Sequence, residues 1–269
     1  MNASIGTAPG DHARMRLADD EVHLWSLSDH TGGSGTGFAD EASLLSADEV
    51  ERAARFRFEC DRRRFIATRS LVRQVLSTYE AVPPAAWRFS KTRYGRPIVL
   101  PEPGRLAPSF SVSHTRGLIV CAVAREPALG IDVEYVTSIA PMSIASRFFT
   151  EREASAIHGC PLDHRAQLFF QYWTLKEAYL KATGKGLHQS LDSIEFRVAH
   201  AQPIDVTHHS GLADERYDCD FWSLKMSSLY VAAACIKRQS LSAWRIRTWH
   251  ANGAQDPRSW RWHQMARSH

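Results

Sequence analysis

The sequence repeats one order of elements, and this repeat constrains the fold more than any other feature. An arginine-rich helical segment precedes a hairpin ending LIVCAVA at Leu118–Ala124, and a lysine-rich helical segment precedes a hairpin ending LYVAAAC at Leu229–Cys235. The two hairpin ends lie about 111 residues apart, and such self-similarity predicts a unit repeated in space. We therefore expect an α+β fold of two similar α/β subdomains related by a pseudo-twofold axis, with a ligand cleft between them.

The same pattern divides the chain into four parts. A flexible N-terminal arm at 1–20 is expected to precede an N-terminal subdomain at 21–127, a C-terminal subdomain at 128–250 and a C-terminal tail at 251–269. The segment Gly32–Gly37 (GGSGTG) lacks the spacing of a phosphate-binding loop, so it predicts a flexible loop.

Local signals place the helices and strands. Ser46 with Glu49, and Thr150 with Glu153, form capping boxes that predict helix starts. A second helix is expected from Asp61 until Pro83 and Pro84 stop it, and a strong helix covers Gln167–Thr183 and ends at Gly184. The expected strands are Val22–Leu27, two within Phe110–Ala124, Gly130–Tyr135, Ser193–Val198, Phe221–Met226, Leu229–Ile236 and Trp244–Trp249.

Composition narrows the class of protein. Lys and Arg number 33 against 29 Asp and Glu, giving a formal charge of +4 and a pI near 8.9, a mild excess that favours an anionic ligand. The five cysteines lie far apart without a C-x-x-C pair, so neither a disulfide framework nor a zinc site is predicted. No segment has the length and apolarity of a signal peptide or a membrane span, and we expect a cytoplasmic protein that does not associate with membranes.

Two groups of charged residues stand out as candidate sites. Asp132 and Glu134 flank Val133 in an expected strand, so both carboxylates point to one face, where a hard cation such as Mg²⁺ would offset their repulsion. Glu177 and Lys181 share a helical face with Trp173. The alternatives are a solvated strand edge for the first group and an exposed helix ion pair for the second.

Ser113 and His114 lie side by side near a strand end. They do not predict a serine hydrolase, because strand neighbours point to opposite faces and the chain has no G-x-S-x-G motif. His114 could donate to a phosphate or be a satisfied, partly buried histidine. The arginines from Arg52 to Arg73 could line an anion site or form a solvated helix face.

Taken in order, several motifs resemble those of the Sfp-type 4′-phosphopantetheinyl transferases. The resemblance covers roughly Ser46–Ile236, and no single motif is specific, whereas the ordered set is. The motifs are YGRP at Tyr94–Pro97, FSVSHT at Phe110–Thr115, GIDVE at Gly130–Glu134, RFFTERE at Arg147–Glu153 and WTLKEAYLKATGKGL at Trp173–Leu187.

The resemblance implies a function and a site. It implies a monomeric enzyme that moves 4′-phosphopantetheine from coenzyme A to a serine of an apo acyl or peptidyl carrier protein, releasing 3′,5′-ADP. It also implies that Asp132, Glu134 and Glu177 bind Mg²⁺ and that Lys181 contacts the transferring phosphate. The remaining implied residues hold coenzyme A, with Ser113 and His114 at its phosphates and Arg52, Arg64 and Arg96 at its nucleotide end. The implied catalytic residues are Glu177, Lys181 and His114.

The sequence departs from the family pattern in places, and other functions stay open. Glu49 stands where some relatives have a basic nucleotide contact, and Thr115 replaces a common serine; the role of Glu153 is open between catalysis and helix capping. The alternatives are a Mg²⁺-dependent phosphohydrolase that uses the same carboxylates on water, and a basic nucleic-acid-binding module. The transferase reading implies no nucleic-acid partner.

Overall fold

Two β-sheets packed face to face form the centre of the molecule. We describe a computed structural model, which covers residues 14–28, 41–100, 107–125, 128–137, 139–186, 189–198, 204–209, 218–227, 229–237, 244–251 and 261–262. The strands are β1 (Glu21–Ser28), β2 (Phe89–Lys91), β3 (Pro97–Val99), β4 (Ser109–Thr115), β5 (Leu118–Ala124), β6 (Leu129–Tyr135), β7 (Ile194–Arg197), β8 (Asp205–His208), β9 (Cys219–Lys225), β10 (Tyr230–Lys237), β11 (Arg245–Ala251) and β12 (Arg261–Trp262). The α-helices are α1 (Ala47–Ala54), α2 (Glu59–Tyr79), α3 (Met142–Phe148), α4 (Glu151–Gly159) and α5 (Leu162–Thr183).

The predicted duplication is confirmed by the sheet topology. One sheet has the order β12-β11-β1-β5-β4 and the other has the order β6-β10-β9. Within them, β1-β5-β4 and β6-β10-β9 are the same antiparallel unit, because each contains a first strand and a later hairpin whose second strand lies at the centre. A long helix, α2 or α5, lies between the first strand and the hairpin in sequence. The α+β fold of two similar halves is therefore the observed one.

The two halves stack as helix, sheet, sheet and helix. Alternation along β5 places Ile119, Cys121 and Val123 in a core shared with α2, while Val120 and Ala122 face the second sheet. The middle core combines residues of β1, β5, β6, β9 and β10. On the far side, α5 packs against β10 in a third core. Each sheet is thus buried on both faces, which explains why β5 is apolar along its whole length.

The helix boundaries follow the predicted signals. Both capping boxes are present at the starts of α1 and α4. Helix α2 ends at Tyr79, ahead of the two prolines, and α5 ends at Gly184, whose φ of 70° is the left-handed conformation that glycine adopts without strain. The expected strands are also confirmed, whereas the short elements β2, β3, β8 and α3 were not predicted from the sequence.

Strand β11 pairs with the N-terminal sheet rather than with the subdomain in which the sequence places it. It runs parallel to β1, with Trp25 opposite Trp249, and the two indoles stack at 4.9 Å between ring centroids. Arg247 also forms an ion pair of 2.8 Å with Glu21. The domain limits of 21–127 and 128–250 otherwise stay a prediction.

Some expectations fall on residues that the structure does not describe. The loop Gly32–Gly37, most of the arm at 1–20 and most of the tail at 251–269 lie outside the described residues. Within the described part of the chain, none of the helices combines the length and the apolar character needed to cross a bilayer.

Candidate active site

The edges of the two sheets meet along a seam between β4 and β6. Three hydroxyl side chains alternate along β4 at Ser111, Ser113 and Thr115 and point toward β6. Ser113 donates to Oδ1 of Asp132 at 2.8 Å, and Thr115 donates to Oε2 of Glu134 at 3.3 Å. Because both strands have a side-chain period of two, consecutive hydroxyls on one edge meet consecutive carboxylates on the other. The seam therefore holds both predicted carboxylates with donors from the opposite half of the molecule.

Asp132 is the most buried of the predicted acids. Its side chain is 7% exposed, and its Oδ1 accepts from Lys181 Nζ at 2.7 Å as well as from Ser113. Its Oδ2 is buried and has no hydrogen-bond partner within the described residues. A buried carboxylate oxygen without a donor is unfavourable, and it commonly marks the position of an ion or water.

Helix α5 reaches this seam because Gly130 lets it approach β6 closely. A Cβ atom at Gly130 would lie 1.9 Å from the carbonyl oxygen of Ala178 and 2.6 Å from the backbone nitrogen of Ala182. Gly130 precedes Asp132 on the same face of β6, so the close contact brings Glu177 and Lys181 of α5 to the carboxylates. Lys181 also donates to the carbonyl of Ile131 at 3.0 Å.

Two of the three acids, Glu134 and Glu177, hold their protons more tightly than usual. Burial, and then the charge of Asp132, raise the pKa of Glu134 to about 7. Burial and the charge of Asp132 also raise the pKa of Glu177, against the effect of Lys181. A cation beside Glu134 and Glu177, in addition to Lys181, would therefore favour their ionised forms.

The donor set fits Mg²⁺ through its chemistry rather than through a preformed cage. As the side chains stand, no group of three or more His, Cys, Asp or Glu residues among those described has metal-binding geometry. Mg²⁺ does not require such a cage, because it usually keeps waters and takes one or two carboxylates together with phosphate oxygens. The unpartnered Oδ2 of Asp132 and the raised pKa of Glu134 are both features that a hard cation would satisfy.

A cleft of about 920 Å³ opens beside the seam. Lys181, Ser113 and His114 line it together with Arg52 and Lys91. Lys181 also borders a smaller cavity of about 250 Å³, which is lined by Glu177 and Arg96. Lys181 therefore lies where the cleft and the smaller cavity meet. An extended, phosphate-containing ligand that occupied both would lie beside it.

The predicted arginines have different surroundings. Arg52 is exposed on the wall of the large cleft and its guanidinium lies 5.2 Å from the Phe65 ring centroid. Arg64 is not among the residues that line either cavity, and it forms a 3.5 Å ion pair with Asp61. Arg96 donates to the carbonyls of Ala182 and Leu129, so it also fastens the end of α5 to the start of β6.

Two further arginines of the group from Arg52 to Arg73, to which no individual role was assigned from the sequence, also line the large cleft. Arg69 and Arg73 both form ion pairs with Glu49, and Arg73 is 1% exposed. Burial would raise the pKa of Glu49, but a backbone hydrogen bond from Ser46 and the two guanidiniums lower it. Glu49 is therefore an internal counterion, which accounts for an acid at a position where some relatives have a base.

The one hydroxyl proton of Ser113 is used by Asp132 in this structure. This contact favours a positioning role for Ser113 over direct donation to a phosphate. His114 points from the opposite face of β4 and is exposed on the cleft wall, as strand alternation predicts. His208 and His209 lie away from the seam, and His209 contacts Glu195 at 3.1 Å.

Glu153 lies outside the seam and has a structural environment. Its Oε2 forms a buried 2.8 Å ion pair with Lys176 and accepts from the backbone nitrogen of Thr150, while its Oε1 accepts from that of Phe196. Lys176 also donates to two backbone carbonyls. The contacts therefore favour the capping role for Glu153.

Comparison with known proteins gives a consistent result across the chain. A profile described as 4′-phosphopantetheinyl transferase, N-terminal, matches residues 33–126, and one described as the 4′-phosphopantetheinyl transferase superfamily matches residues 128–235. The 4′-phosphopantetheinyl transferase HetI of Nostoc sp. is 38% identical over 196 residues, covering 71% of this chain and 80% of the relative. The 4′-phosphopantetheinyl transferase Sfp of Bacillus subtilis is 30% identical, covering 72% and 82%.

Among solved structures, the holo-[acyl-carrier-protein] synthase of Thermotoga maritima aligns with 41% of this chain and 64% of its own, at 23% identity and a TM-score of 0.33.

Proposed function

This chain belongs to the 4′-phosphopantetheinyl transferase family, and from that premise we propose that the seam between β4 and β6 is its active site. The enzyme transfers the 4′-phosphopantetheine group from coenzyme A to a carrier protein. The observation that carries the proposed location is the Asp132 carboxylate, which has Lys181 and Ser113 on one oxygen and, among the described residues, no partner on the other.

The reaction needs charge stabilisation more than a nucleophile from the enzyme. The serine hydroxyl oxygen of the carrier attacks the pantetheine-side phosphorus, its bond to that phosphorus forms, and the bond to 3′,5′-ADP breaks. Coenzyme A brings roughly three to four negative charges, since a phosphate monoester alone carries about −1.5 to −2. The ammonium of Lys181, held beside Asp132 where the two cavities meet, is the protein cation placed to offset charge on the pyrophosphate.

Asp132, Glu134 and Glu177 are the residues that would hold Mg²⁺. The raised pKa values of Glu134 and Glu177, and the buried Oδ2 of Asp132 that has no hydrogen-bond partner among the described residues, support this assignment. When bound, Mg²⁺ supplies electrostatic stabilisation of the phosphate oxygens. Ser113 and Thr115 orient two of these carboxylates from β4.

Glu177 has a second possible task, which is to accept the proton of the attacking serine. It borders the smaller cavity, and burial raises its pKa, which makes the carboxylate a stronger base. A carboxylate bound to Mg²⁺ is a poorer base, so we assign ligation as its main role and direct or water-mediated proton transfer as the alternative.

The nucleotide end of coenzyme A is assigned to the basic side of the cleft. Arg52 and His114 line the large cleft, and Arg96 lines the smaller cavity beside Lys181. Arg64 has the weakest support among the predicted contacts, because it pairs with Asp61 and does not line these cavities. Substitution of Arg52 should therefore raise the KM for coenzyme A more than substitution of Arg64.

Intact-mass spectrometry of an apo carrier protein tests the function directly. Incubation with the enzyme, coenzyme A and Mg²⁺ should increase the carrier mass by one phosphopantetheine group, with 3′,5′-ADP released in equal amount. Release of phosphopantetheine without a change in carrier mass would instead indicate the phosphohydrolase. Oligonucleotide binding without coenzyme A binding would indicate the nucleic-acid-binding module.

The doubled fold also supports a monomeric enzyme, because one chain supplies both β4 and β6 to the seam. Light scattering coupled to size exclusion should give the mass of one chain, 30.3 kDa. The cytoplasmic location expected from the sequence stays a prediction.

A further inference from the structure

The Thr115 hydroxyl makes two hydrogen bonds at the end of β4. It donates to Oε2 of Glu134 at 3.3 Å and accepts from the backbone nitrogen of Tyr135 at 3.2 Å. The acceptor role fixes the position of the oxygen, so the proton is directed toward the carboxylate. Thr115 thus fastens the Glu134 side chain relative to the β6 backbone that carries it.

The backbone of Thr115 is itself fastened to the other half of the molecule. The turn that follows it contains Gly117, which has a φ of 81° and where a Cβ atom would lie only 2.5 Å from the Tyr230 hydroxyl oxygen. The Tyr230 hydroxyl donates to the carbonyl of Arg116 at 3.1 Å, and the ring of Tyr230 packs edge-on against Tyr135 at 5.5 Å. The end of β4 therefore has a fixed position relative to both β6 and β10.

We infer that Thr115 is a positioning residue that holds Glu134 in the orientation in which its carboxylate binds Mg²⁺. The inference rests on the function proposed above and extends it to a residue that contacts one of the carboxylates that would hold Mg²⁺. A glutamate has three rotatable side-chain bonds, so holding it in place before the cation binds reduces the entropy lost on binding. Hydrogen bonds to metal-binding carboxylates are worth about 10- to 100-fold in metal affinity or activity.

Ser111 provides a matched control on the same strand. Its hydroxyl lies on the same edge of β4 and also accepts from a backbone nitrogen of β6, that of Ile131, at 3.1 Å. Its contact is to the backbone and not to a carboxylate. Ser111→Ala therefore loosens the seam as Thr115→Val does, without releasing a metal-binding side chain.

The experiment measures Mg²⁺ binding to the full chain by titration calorimetry, with and without coenzyme A, in parallel with thermal melts. Thr115→Val should raise the Mg²⁺ dissociation constant about tenfold, and Thr115→Ser, which keeps the hydroxyl, should retain the wild-type value. Ser111→Ala should lower the melting temperature but leave the dissociation constant unchanged. In transfer assays, Thr115→Val should need more Mg²⁺ for half-maximal rate while retaining most of kcat at saturating Mg²⁺.

The outcomes separate this inference from the function on which it rests. If wild-type protein neither binds Mg²⁺ nor modifies a carrier, the proposed function fails. If the wild type does both and Thr115→Val binds Mg²⁺ as tightly, or if Ser111→Ala weakens binding equally, the positioning role is wrong. Should Thr115→Val not fold, Thr115→Ala removes the same donor without a branched side chain and is judged by the same comparison.

Discussion

At Asp132, two donors share one carboxylate oxygen, while the other oxygen is buried and has no partner in the part of the chain that the structure describes. Asp132→Asn keeps the shape of the side chain and removes its charge. We expect transfer to fall by about 100-fold or more, the effect typical of removing a group that stabilises developing charge. The fold should persist, because the amide oxygen still accepts from Ser113 and Lys181. Carrier-mass assays and thermal melts measure both properties.

Asp205→Asn is the matched control for this substitution. Asp205 is 58% exposed on β8 and pairs with Arg197. Asp205 lies outside the seam, so replacing its carboxylate by an amide should change neither the rate of transfer nor the melting temperature appreciably. Wild-type transfer by Asp132→Asn would remove Asp132 from the site.

The second prediction at this scale concerns Glu134 and pH. Burial and then Asp132 raise the pKa of Glu134 from 4.5 to about 7 in the folded protein. This group therefore contributes its full stability only below about pH 4.5, and that contribution is lost as the pH rises through about 7. Glu134→Gln has no such proton to lose. In metal-free buffer, we expect the variant to melt higher than the wild type near pH 8 and at nearly the same temperature near pH 4.

Thermal melts in EDTA measure the difference in stability between Glu134→Gln and the wild type. Each kcal/mol of that difference corresponds to about 2–4 °C in melting temperature for a chain of this length. A constant difference between the two proteins from pH 5 to pH 8 would contradict an ionisation that occurs near pH 7 in the folded state.

The sequence identified the charged residues at the seam better than the residues that position them. Strand alternation placed Asp132 and Glu134 on one face, and helical spacing joined Glu177 to Lys181. The same alternation on β4 could have indicated that Thr115 lies on the face of Ser113. The contact between β4 and β6, which belong to different sheets, is a tertiary contact that no local pattern contains. Arg64 fitted the charge pattern of α2, but Asp61, one turn away, pairs with it instead.

At the scale of elements, the close contact between α5 and β6 depends on Gly130. A Cβ atom there would meet the α5 backbone at 1.9 Å, so Gly130→Ala must displace the helix that carries Glu177 and Lys181. We expect a loss of about 1–3 kcal/mol in the free energy of unfolding, the range typical of overpacking, together with strongly reduced transfer. Chemical denaturation and the carrier-mass assay measure these effects.

Gly159→Ala provides the control, because a Cβ atom at Gly159 would meet no described residue within 4 Å other than its chain neighbours and its own helix backbone. Gly159 is the last residue of α4, so alanine there should leave stability unchanged or slightly increased. Equal losses in both variants would show that the approach of α5 to β6 is not what positions the site.

The buried pair of Lys176 and Glu153 is the second element-scale test. Both side chains are 0% exposed and lie 2.8 Å apart, joining α5 to α4. Lys176→Met leaves the Glu153 charge buried without its counterion, so we expect about 3–5 kcal/mol of destabilisation in chemical denaturation. Addition of Glu153→Gln should recover part of this loss. The exposed pair of Arg197 and Asp205 is the comparison, where Arg197→Ala should leave the midpoint of chemical denaturation almost unchanged.

These variants also determine what Glu153 does. If its role is structural, transfer per folded molecule should be retained in the double variant. A double variant that is stable but inactive would instead place Glu153 in the chemistry. The sequence could not separate these roles, because a capping box is local and the Lys176 contact is not.

At the scale of the whole molecule, the repeat could be predicted from the sequence. The strand pairing that joins the end of the second unit to the first could not. The two hairpins and the two long helices are local patterns that recur, and they gave the order of each half. Strand β11 follows the second unit in sequence, yet it pairs with β1 of the first. That pairing arises from side chains distant in sequence, such as the stack of Trp25 on Trp249, and periodicity carries no information about it.

The shared core between the sheets makes each half dependent on the other. Val120 and Ala122 of β5 pack with Ile131 and Ala232 of the second half, and all four are completely buried. A chain divided between residues 125 and 128 should therefore give fragments that expose this apolar face, and each fragment alone should aggregate or self-associate. Co-expressed fragments should pair through the seam and β11 and recover transfer. Melting curves, light scattering and the carrier-mass assay measure this, and a fragment that is monomeric and melts like the intact chain would show that the halves fold independently.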